Sequence, residues 1–318
     1  MKIVILDGHT INPGDLSWSE IESFGKVTVY ERTAPELIVP RIGNAEIILT
    51  SKCCISAEVM SQCAQLKYIG ILATGINMVD LNYAASHRVQ VTSIPAYSTD
   101  SVAQLTFSLL LEICNQVRKH CDAVDSGMWQ NSKDFCFSLT PQTELSGKTL
   151  GIIGFGNIGK RVAKISEAFG MNVVISSNYP DSDFITDRIR FSSLDKLYSD
   201  SDIISLHCPL TEDNKGFINH ESISKMKDGV IIINTSRGPL IRESDLACAL
   251  QSGKVSAAGL DVLSVEPPKE SHPLIGLKNC FITPHIAWIT KESRVRLIHA
   301  AAANLEAFLH GEVLNGVN

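Results

Sequence analysis

Short apolar runs rich in β-branched residues recur along the chain, separated by longer segments with helical spacing. The runs at 2–6, 27–30, 45–50, 67–73 and 89–94 are followed, after a gap, by others at 149–154, 172–177, 202–207, 229–235, 257–262 and 280–283. Val230-Ile231-Ile232-Ile233 has no polar alternation, as suits a parallel strand covered on both faces. Regular strand–helix alternation predicts a doubly wound α/β architecture. No fixed-period repeat or low-complexity stretch interrupts it.

Two helical segments decide the domain organisation. Residues 99–120 predict one long helix, opened by Ser98, Thr99 or Asp100 as a cap. Val102, Ala103, Leu105, Phe107, Leu109, Leu110, Leu111 and Ile113 put apolar groups almost all round it. A surface helix carries a single apolar stripe, so this one is wedged between layers or between subunits. A loop-like stretch at 126–147 follows, and then a fresh strand. The last helix, near 291–310, is amphipathic (Val295, Leu297, Ile298, Ala301, Leu305, Phe308), and its own pattern does not say which neighbour it joins. With 318 residues and roughly 150 residues per domain, two domains are expected. One spans 99–287 and is inserted into another made of 1–98 and 288–318.

Composition narrows the classes. A net charge of −6, with Lys and Arg no denser than pairs such as Arg118-Lys119 and Lys160-Arg161, argues against nucleic acid or an anionic membrane as partner. The run Ile3-Val4-Ile5-Leu6 is too short for a signal-peptide core, and no segment reaches membrane-spanning length. Nine scattered cysteines, with no Cys-x-x-Cys spacing, favour reduced thiols in a cytoplasmic setting and leave no ligand set for a metal.

Thr149-Leu150-Gly151-Ile152-Ile153-Gly154-Phe155-Gly156-Asn157-Ile158-Gly159 runs from a strand into Gly-x-Gly-x-x-Gly and on into a helix. Gly154 suits the tight turn, Gly156 lets the backbone approach a pyrophosphate, and Gly159 lets the helix pack close to its strand. The helix N-terminus adds free N–H groups and a positive dipole end. A glycine-rich turn alone is weak evidence. The flanking strand, helix and second strand (Val173-Val174-Ile175) turn it into a dinucleotide fingerprint. The acidic residue expected at the end of that second strand, on the adenosine ribose, is replaced by Ser176-Ser177-Asn178. NADP is therefore not repelled, yet Ser176 to Asp187 holds no Lys or Arg to attract its phosphate, so NAD is expected as the main cofactor with some NADP use.

Polar groups follow three later strands: Asn234-Thr235-Ser236-Arg237-Gly238, Asp261-Val262 leading to Glu266-Pro267-Pro268, and Thr283-Pro284-His285-Ile286-Ala287-Trp288. Singly, each has a bland reading: a solvated Arg, a loop Glu, a satisfied His. Together, beside a dinucleotide turn, they suggest one cleft, since open α/β sheets bind ligands at the carboxyl ends of their strands. Asn-x-x-Arg-Gly, Asp-x-x-x-x-Glu-Pro and Pro-His-x-Ala stand in the order and spacing of the D-isomer-specific 2-hydroxyacid dehydrogenase family, which the whole chain resembles. Asp7-Gly8-His9, Ala73-Thr74-Gly75-x-Asn77-x-Val79-Asp80, Tyr97 to Ala103, Asp134-Phe135-Cys136-Phe137 and Pro284 to Trp288 look closest to its glycerate dehydrogenase (hydroxypyruvate reductase) subgroup.

The resemblance implies a Rossmann NAD(P)-binding domain inserted into a flavodoxin-like substrate domain, and reduction of a small 2-keto acid to a D-2-hydroxy acid. Arg237 would hold the substrate carboxylate and 2-oxygen with a planar fork of donors. His285 would give the 2-oxygen its proton, and Glu266 would favour the protonated imidazole. Backbone N–H groups at Thr74 and Gly75 would take the rest of the carboxylate, with Trp288 either lining the pocket or packing under the last helix. Asp261 would bond the nicotinamide amide. Thr74, Asn157, Ile158, Ser177, Cys208, Thr235, Ser236, Arg237 and His285 would line the cofactor, while His207 reads as structural. A homodimer through the 99–120 helix is implied as well. The competing class is a catalytically silent NAD(H)-sensing scaffold on the same fold, against which the intact Arg237, Glu266 and His285 weigh.

Overall fold

The computed structural model describes residues 1–269 and 271–318. The chain begins with β1 (Lys2–Ile5), α1 (Ser19–Glu22), β2 (Lys26–Val29), α2 (Ile38–Ile42), β3 (Ile47–Thr50), α3 (Ala57–Ser61), β4 (Tyr68–Ile71), α4 (Leu81–Ser86) and β5 (Gln90–Thr92). Next come α5 (Thr99–Asn115), α6 (Val117–Asp125), β6 (Thr149–Ile153), α7 (Asn157–Ala168), β7 (Asn172–Ser176) and β8 (Ile189–Phe191). The order continues with α8 (Leu194–Asp200), β9 (Ile203–Leu206), α9 (His220–Ser224), β10 (Val230–Asn234), α10 (Glu243–Ser252), β11 (Val255–Leu260), β12 (Cys280–Ile282) and α11 (Lys291–Leu309). Two compact units result: Met1–Ser98 with Trp288–Asn318, and Thr99–Ala287.

The first unit carries a five-stranded sheet in the order β2-β1-β3-β4-β5, parallel throughout. This is the flavodoxin-like order. Ile3, Val4, Ile5, Ile47, Ile48 and Leu49 are wholly buried, which explains why their runs show no alternation. The last helix belongs here. Leu297, Ile298, Ala301 and Leu305 of α11 pack with Ile3, Ile5 and Tyr68, and Arg294 donates to both carboxylate oxygens of Asp15, each at 2.7 Å. Truncating the fully buried Leu297 to Ala would cost about 2–5 kcal/mol.

The second unit carries seven parallel strands in the order β12-β11-β10-β9-β6-β7-β8. The chain runs outward from β6 in one direction through β7 and β8, then crosses back to β9 and runs the other way. The topological switch point therefore lies between β6 and β9, where open sheets of this kind bind dinucleotides. Both sheets agree with the expected doubly wound α/β class.

Two expectations need correction. The helix expected at 99–120 ends at Asn115, and a separate helix starts at Val117. Gln116 between them takes a left-handed conformation with φ 43°, and its N–H still bonds Glu112 O at 2.8 Å. The near-complete apolar coat of α5 is explained inside its own unit. Phe107, Leu110 and Ile113 share a core with Val162 and Ala163 of α7 and with Ile231, Ile233 and Ala257 of β10 and β11. The strand β8 lay outside the expected set, because its three residues, Ile-Arg-Phe, are too few to stand out as an apolar run.

Candidate active site

Five strands of the second sheet, in the order β12-β11-β10-β9-β6, send loops from their carboxyl ends in one row. Register makes them neighbours: Ile153 pairs with Leu206, Leu206 with Asn234, Asn234 with Leu260, and Leu260 with Ile282. The glycine turn, His207-Cys208, Thr235 to Arg237, Asp261 and His285 each leave one of these ends.

The glycine turn has the shape its spacing predicts. Gly154 has φ 93°, and a Cβ there would sit 2.5 Å from the backbone N of Cys208. At Gly159 a Cβ would lie 2.3 Å from Gly154 O, whereas at Gly156 it would meet nothing within 4 Å. Gly156 is also the N-cap of α7, with no side-chain cap hydrogen bond, so the cap itself puts no side chain over the first-turn N–H groups. The result is a tight turn closed against β9 on one side and open at the helix end, a shape that fits a pyrophosphate.

Arg237 is carried by a loop that Asn234 closes. The wholly buried Asn234 accepts from Ser236 N at 3.0 Å through Oδ1 and donates to Arg237 O at 2.9 Å through Nδ2. Ser236 Oγ donates to Cys208 O at 2.6 Å, and Thr235 Oγ1 meets Thr106 Oγ1 at 3.0 Å. A Cβ on Gly238 would fall 2.0 Å from the backbone carbon of Leu263, so this loop lies directly against the 263–266 segment. The half-buried guanidinium donates to Ser236 O at 2.7 Å.

His285 and Glu266, 19 residues apart, meet: Nδ1 lies 2.6 Å from Oε2. The other Glu266 oxygen accepts from Leu263 N at 3.0 Å, which fixes the carboxylate toward the imidazole. His285 has φ 56°, a left-handed conformation that costs a non-glycine residue about 1–3 kcal/mol and persists only where its surroundings impose it. Asp261 imposes it. His285 N donates to Asp261 O at 2.8 Å, while the Asp261 carboxylate accepts from Thr283 Oγ1 at 2.6 Å, Ile286 N at 2.9 Å and Ala287 N at 2.8 Å. Asp261 is 1% exposed, with both carboxylate oxygens engaged by the 283–287 loop, and burial raises its pKa. Glu243 on α10 supports the neighbouring segment, accepting from Ser264 N at 2.7 Å and lying 3.2 Å from His272 Nε2. No local motif announces the Asp261 and Glu243 contacts, since their partners lie 21 to 29 residues away.

Desolvation holds the His207 imidazole down at about 4, so it is neutral at physiological pH, with Nε2 2.8 Å from Ser205 Oγ. Desolvation likewise pushes the Cys208 thiol up to about 11, which keeps it protonated and unreactive. Ser177 Oγ accepts from Tyr179 N at 3.1 Å just beyond β7. In the first unit, Thr74 Oγ1 donates to Ile94 O at 2.8 Å, next to Gly75. Trp288 is half-buried against the core of that unit, edge-on to Tyr97 at 6.5 Å.

A switch-point glycine turn beside a carboxylate-backed imidazole and an arginine defines a dinucleotide-dependent oxidoreductase. Residues 107–287 match the family described as D-isomer specific 2-hydroxyacid dehydrogenase, NAD binding domain. The chain is 50% identical to a hydroxypyruvate reductase of Blautia hydrogenotrophica over the full length of both. It is 36% identical to a glycerate dehydrogenase of Methylorubrum extorquens, covering 99% of this chain and 98% of that one. A D-lactate dehydrogenase from Aquifex aeolicus, solved with NAD and lactic acid, superposes with a TM-score of 0.85 at 32% identity, covering 98% of this chain and 96% of the other. The chain belongs to the D-isomer-specific 2-hydroxyacid dehydrogenase family and is an NAD(P)-dependent enzyme that interconverts 2-keto and 2-hydroxy acids.

Proposed function

We propose that this enzyme reduces hydroxypyruvate, and more weakly glyoxylate, giving D-glycerate from the former. The contact between His285 Nδ1 and Glu266 Oε2 at 2.6 Å, on the same sheet edge as the open glycine turn, carries the reading of its chemistry. Full-length likeness to a hydroxypyruvate reductase supports the substrate. The reduced nicotinamide, when bound, supplies a hydride to C2. Gly156, Asn157 and Ile158 would hold the pyrophosphate, with Gly154 and Gly159 giving the turn its shape. Thr74, Ser177, Cys208, Thr235 and Ser236 would line the rest of the cofactor.

His285 gives the 2-oxygen its proton from Nε2, because Nδ1 is taken by Glu266. The Glu266 carboxylate, 2.6 Å from Nδ1, fixes the ring orientation so that Nε2 is the nitrogen presented for transfer. Arg237 binds the substrate carboxylate and 2-oxygen, and draws the developing negative charge toward itself. By the family resemblance, the backbone N–H groups of Thr74 and Gly75 would take the remaining carboxylate oxygen and Trp288 would contact the substrate. Asp261 positions the His285 loop and would also bond the nicotinamide amide. A silent NAD(H)-sensing scaffold would have no use for a strained histidine held against a carboxylate, which favours the enzyme.

The proposal extends to a homodimer in the cytoplasm. Val117, Met128, Trp129 and Phe135 are 47–89% exposed, an apolar surface on α6 and the following loop that a subunit contact would cover. Light scattering at micromolar concentration that gives a monomer of 34.7 kDa would contradict the dimer. All nine cysteines are free, which suits a reducing compartment, and no helix among the described residues is long and apolar enough to cross a membrane. The substrate is tested with a panel of keto acids against NADH and NADPH. Hydroxypyruvate is expected to give the highest kcat/KM, and a tenfold preference for pyruvate or a bulkier keto acid would overturn the proposal.

A further inference from the structure

The end of β7 sits on the glycine turn, with Gly154 N donating to Ser176 O at 2.9 Å. A carboxylate there would repel a 2′-phosphate, but Ser177 and Asn178 follow instead. The nearest arginines along the chain are committed elsewhere. Arg188 Nη1 donates to Gly170 O at 2.9 Å, and Arg190 Nη2 bonds Asp200 Oδ2 at 2.6 Å. The cation that does reach this region comes from α7. Lys160, directly after Gly159, places Nζ 2.7 Å from Asp181 Oδ2. The same ammonium lies 5.9 Å from the ring centre of Phe155, inside the glycine turn, and 5.0 Å from that of Phe184. Asp181 is held in turn, since its other oxygen accepts from Asp183 N at 3.2 Å. Both side chains keep about a third of their surface open to solvent (36% and 30%), so an incoming anion can reach them.

We propose that the Lys160–Asp181 ion pair selects between NAD(H) and NADP(H), with Asp181 occupying the ammonium that a 2′-phosphate would otherwise take. This rests on the seating of the dinucleotide at the Gly154–Gly159 turn. A phosphate approaching the intact pair meets one positive and one negative charge at nearly the same distance, and their contributions largely cancel. Ser177 adds neither repulsion nor attraction. The pair thus withholds the attraction that a free ammonium would offer a 2′-phosphate, from four residues beyond the strand end. Without the Asp181 charge, Lys160 remains over the aromatic rings, with Lys164 5.1 Å from the Phe184 centroid, and the region becomes an anion site.

The test is calorimetric titration of NADH and NADPH into wild type, Asp181→Asn, Asp181→Ser and the double variant Lys160→Met/Asp181→Asn. The ratio of the NADPH Kd to the NADH Kd should fall about tenfold in both single variants, the scale of one partly exposed charge-assisted contact, and return toward the wild-type value in the double variant. A ratio that stays within twofold of wild type in both single variants would overturn the inference, as would a fall that persists without Lys160. Wild type that binds neither dinucleotide would overturn the seating at the glycine turn, and this inference with it.

Discussion

The glycine turn after β6 and the His285 loop after β12 leave the same edge of one sheet, and each holds a left-handed residue. Gly154 has φ 93° and His285 φ 56°. The turn takes its shape from missing atoms: a Cβ at Gly154 or Gly159 would strike backbone at 2.5 or 2.3 Å. The histidine loop takes its shape from an added group, the Asp261 carboxylate that gathers Thr283, Ile286 and Ala287. Between them lies the Arg237 loop, closed by Asn234 from three residues away. A backbone can thus be fixed by subtraction, by a local side chain or by a remote one. The first two leave a short-range trace in the sequence and the third does not.

The largest effect should come from filling the subtracted space. Gly159→Val drives a side chain into the Gly154 carbonyl, which is backbone and cannot step aside, so folded protein should be lost. A wild-type melting temperature would show that the turn is looser than described. Arg237→Ala should lower kcat/KM by about 2–4 kcal/mol in transition-state terms, the loss of a charge-assisted clamp. A near-normal value would mean that the carboxylate binds elsewhere. Asp261→Asn keeps the size but exchanges an acceptor for a donor that faces other donors. Losing one buried hydrogen bond should cost about 1–3 kcal/mol of stability, and a freed His285 should lower kcat beyond any change in NADH affinity. An unchanged kcat would remove Asp261 from the account.

The smallest effect concerns His207, at the end of β9 between the two loops. Its folded pKa of about 4 lies below the unfolded value of 6.5, so the unfolded chain takes up a proton that the fold refuses. Its contribution to stability is complete above pH 6.5 and is lost as the pH falls toward 4. Denaturant titrations of wild type and His207→Gln should diverge across that window, with the wild type the more acid-sensitive. Parallel curves would contradict it.

The same contrast separates what could be read in the residues from what could not. The fingerprint was legible because six consecutive positions carry its whole geometry, and the Arg237 loop because Asn234 acts over three. The pairing of His285 with Glu266 followed from family spacing. The break at Gln116 was hidden because neither glycine nor proline marks it, and the apolar pattern of α5 runs up to it. Asp261 could be named as important, but its partners, 22 to 26 positions later, decide its role, and only tertiary structure supplies them. Lys160 was hidden for a related reason: the loop after β7 holds no Lys or Arg of its own up to Asp187, and this cation approaches it from α7.

The proposed role of His285 as proton donor is tested most directly by the product. Hydroxypyruvate and NADH should yield D-glycerate by chiral chromatography, at a rate that His285→Ala lowers by about 10²–10⁴-fold. L-glycerate as product, or turnover that survives the loss of His285, would contradict it.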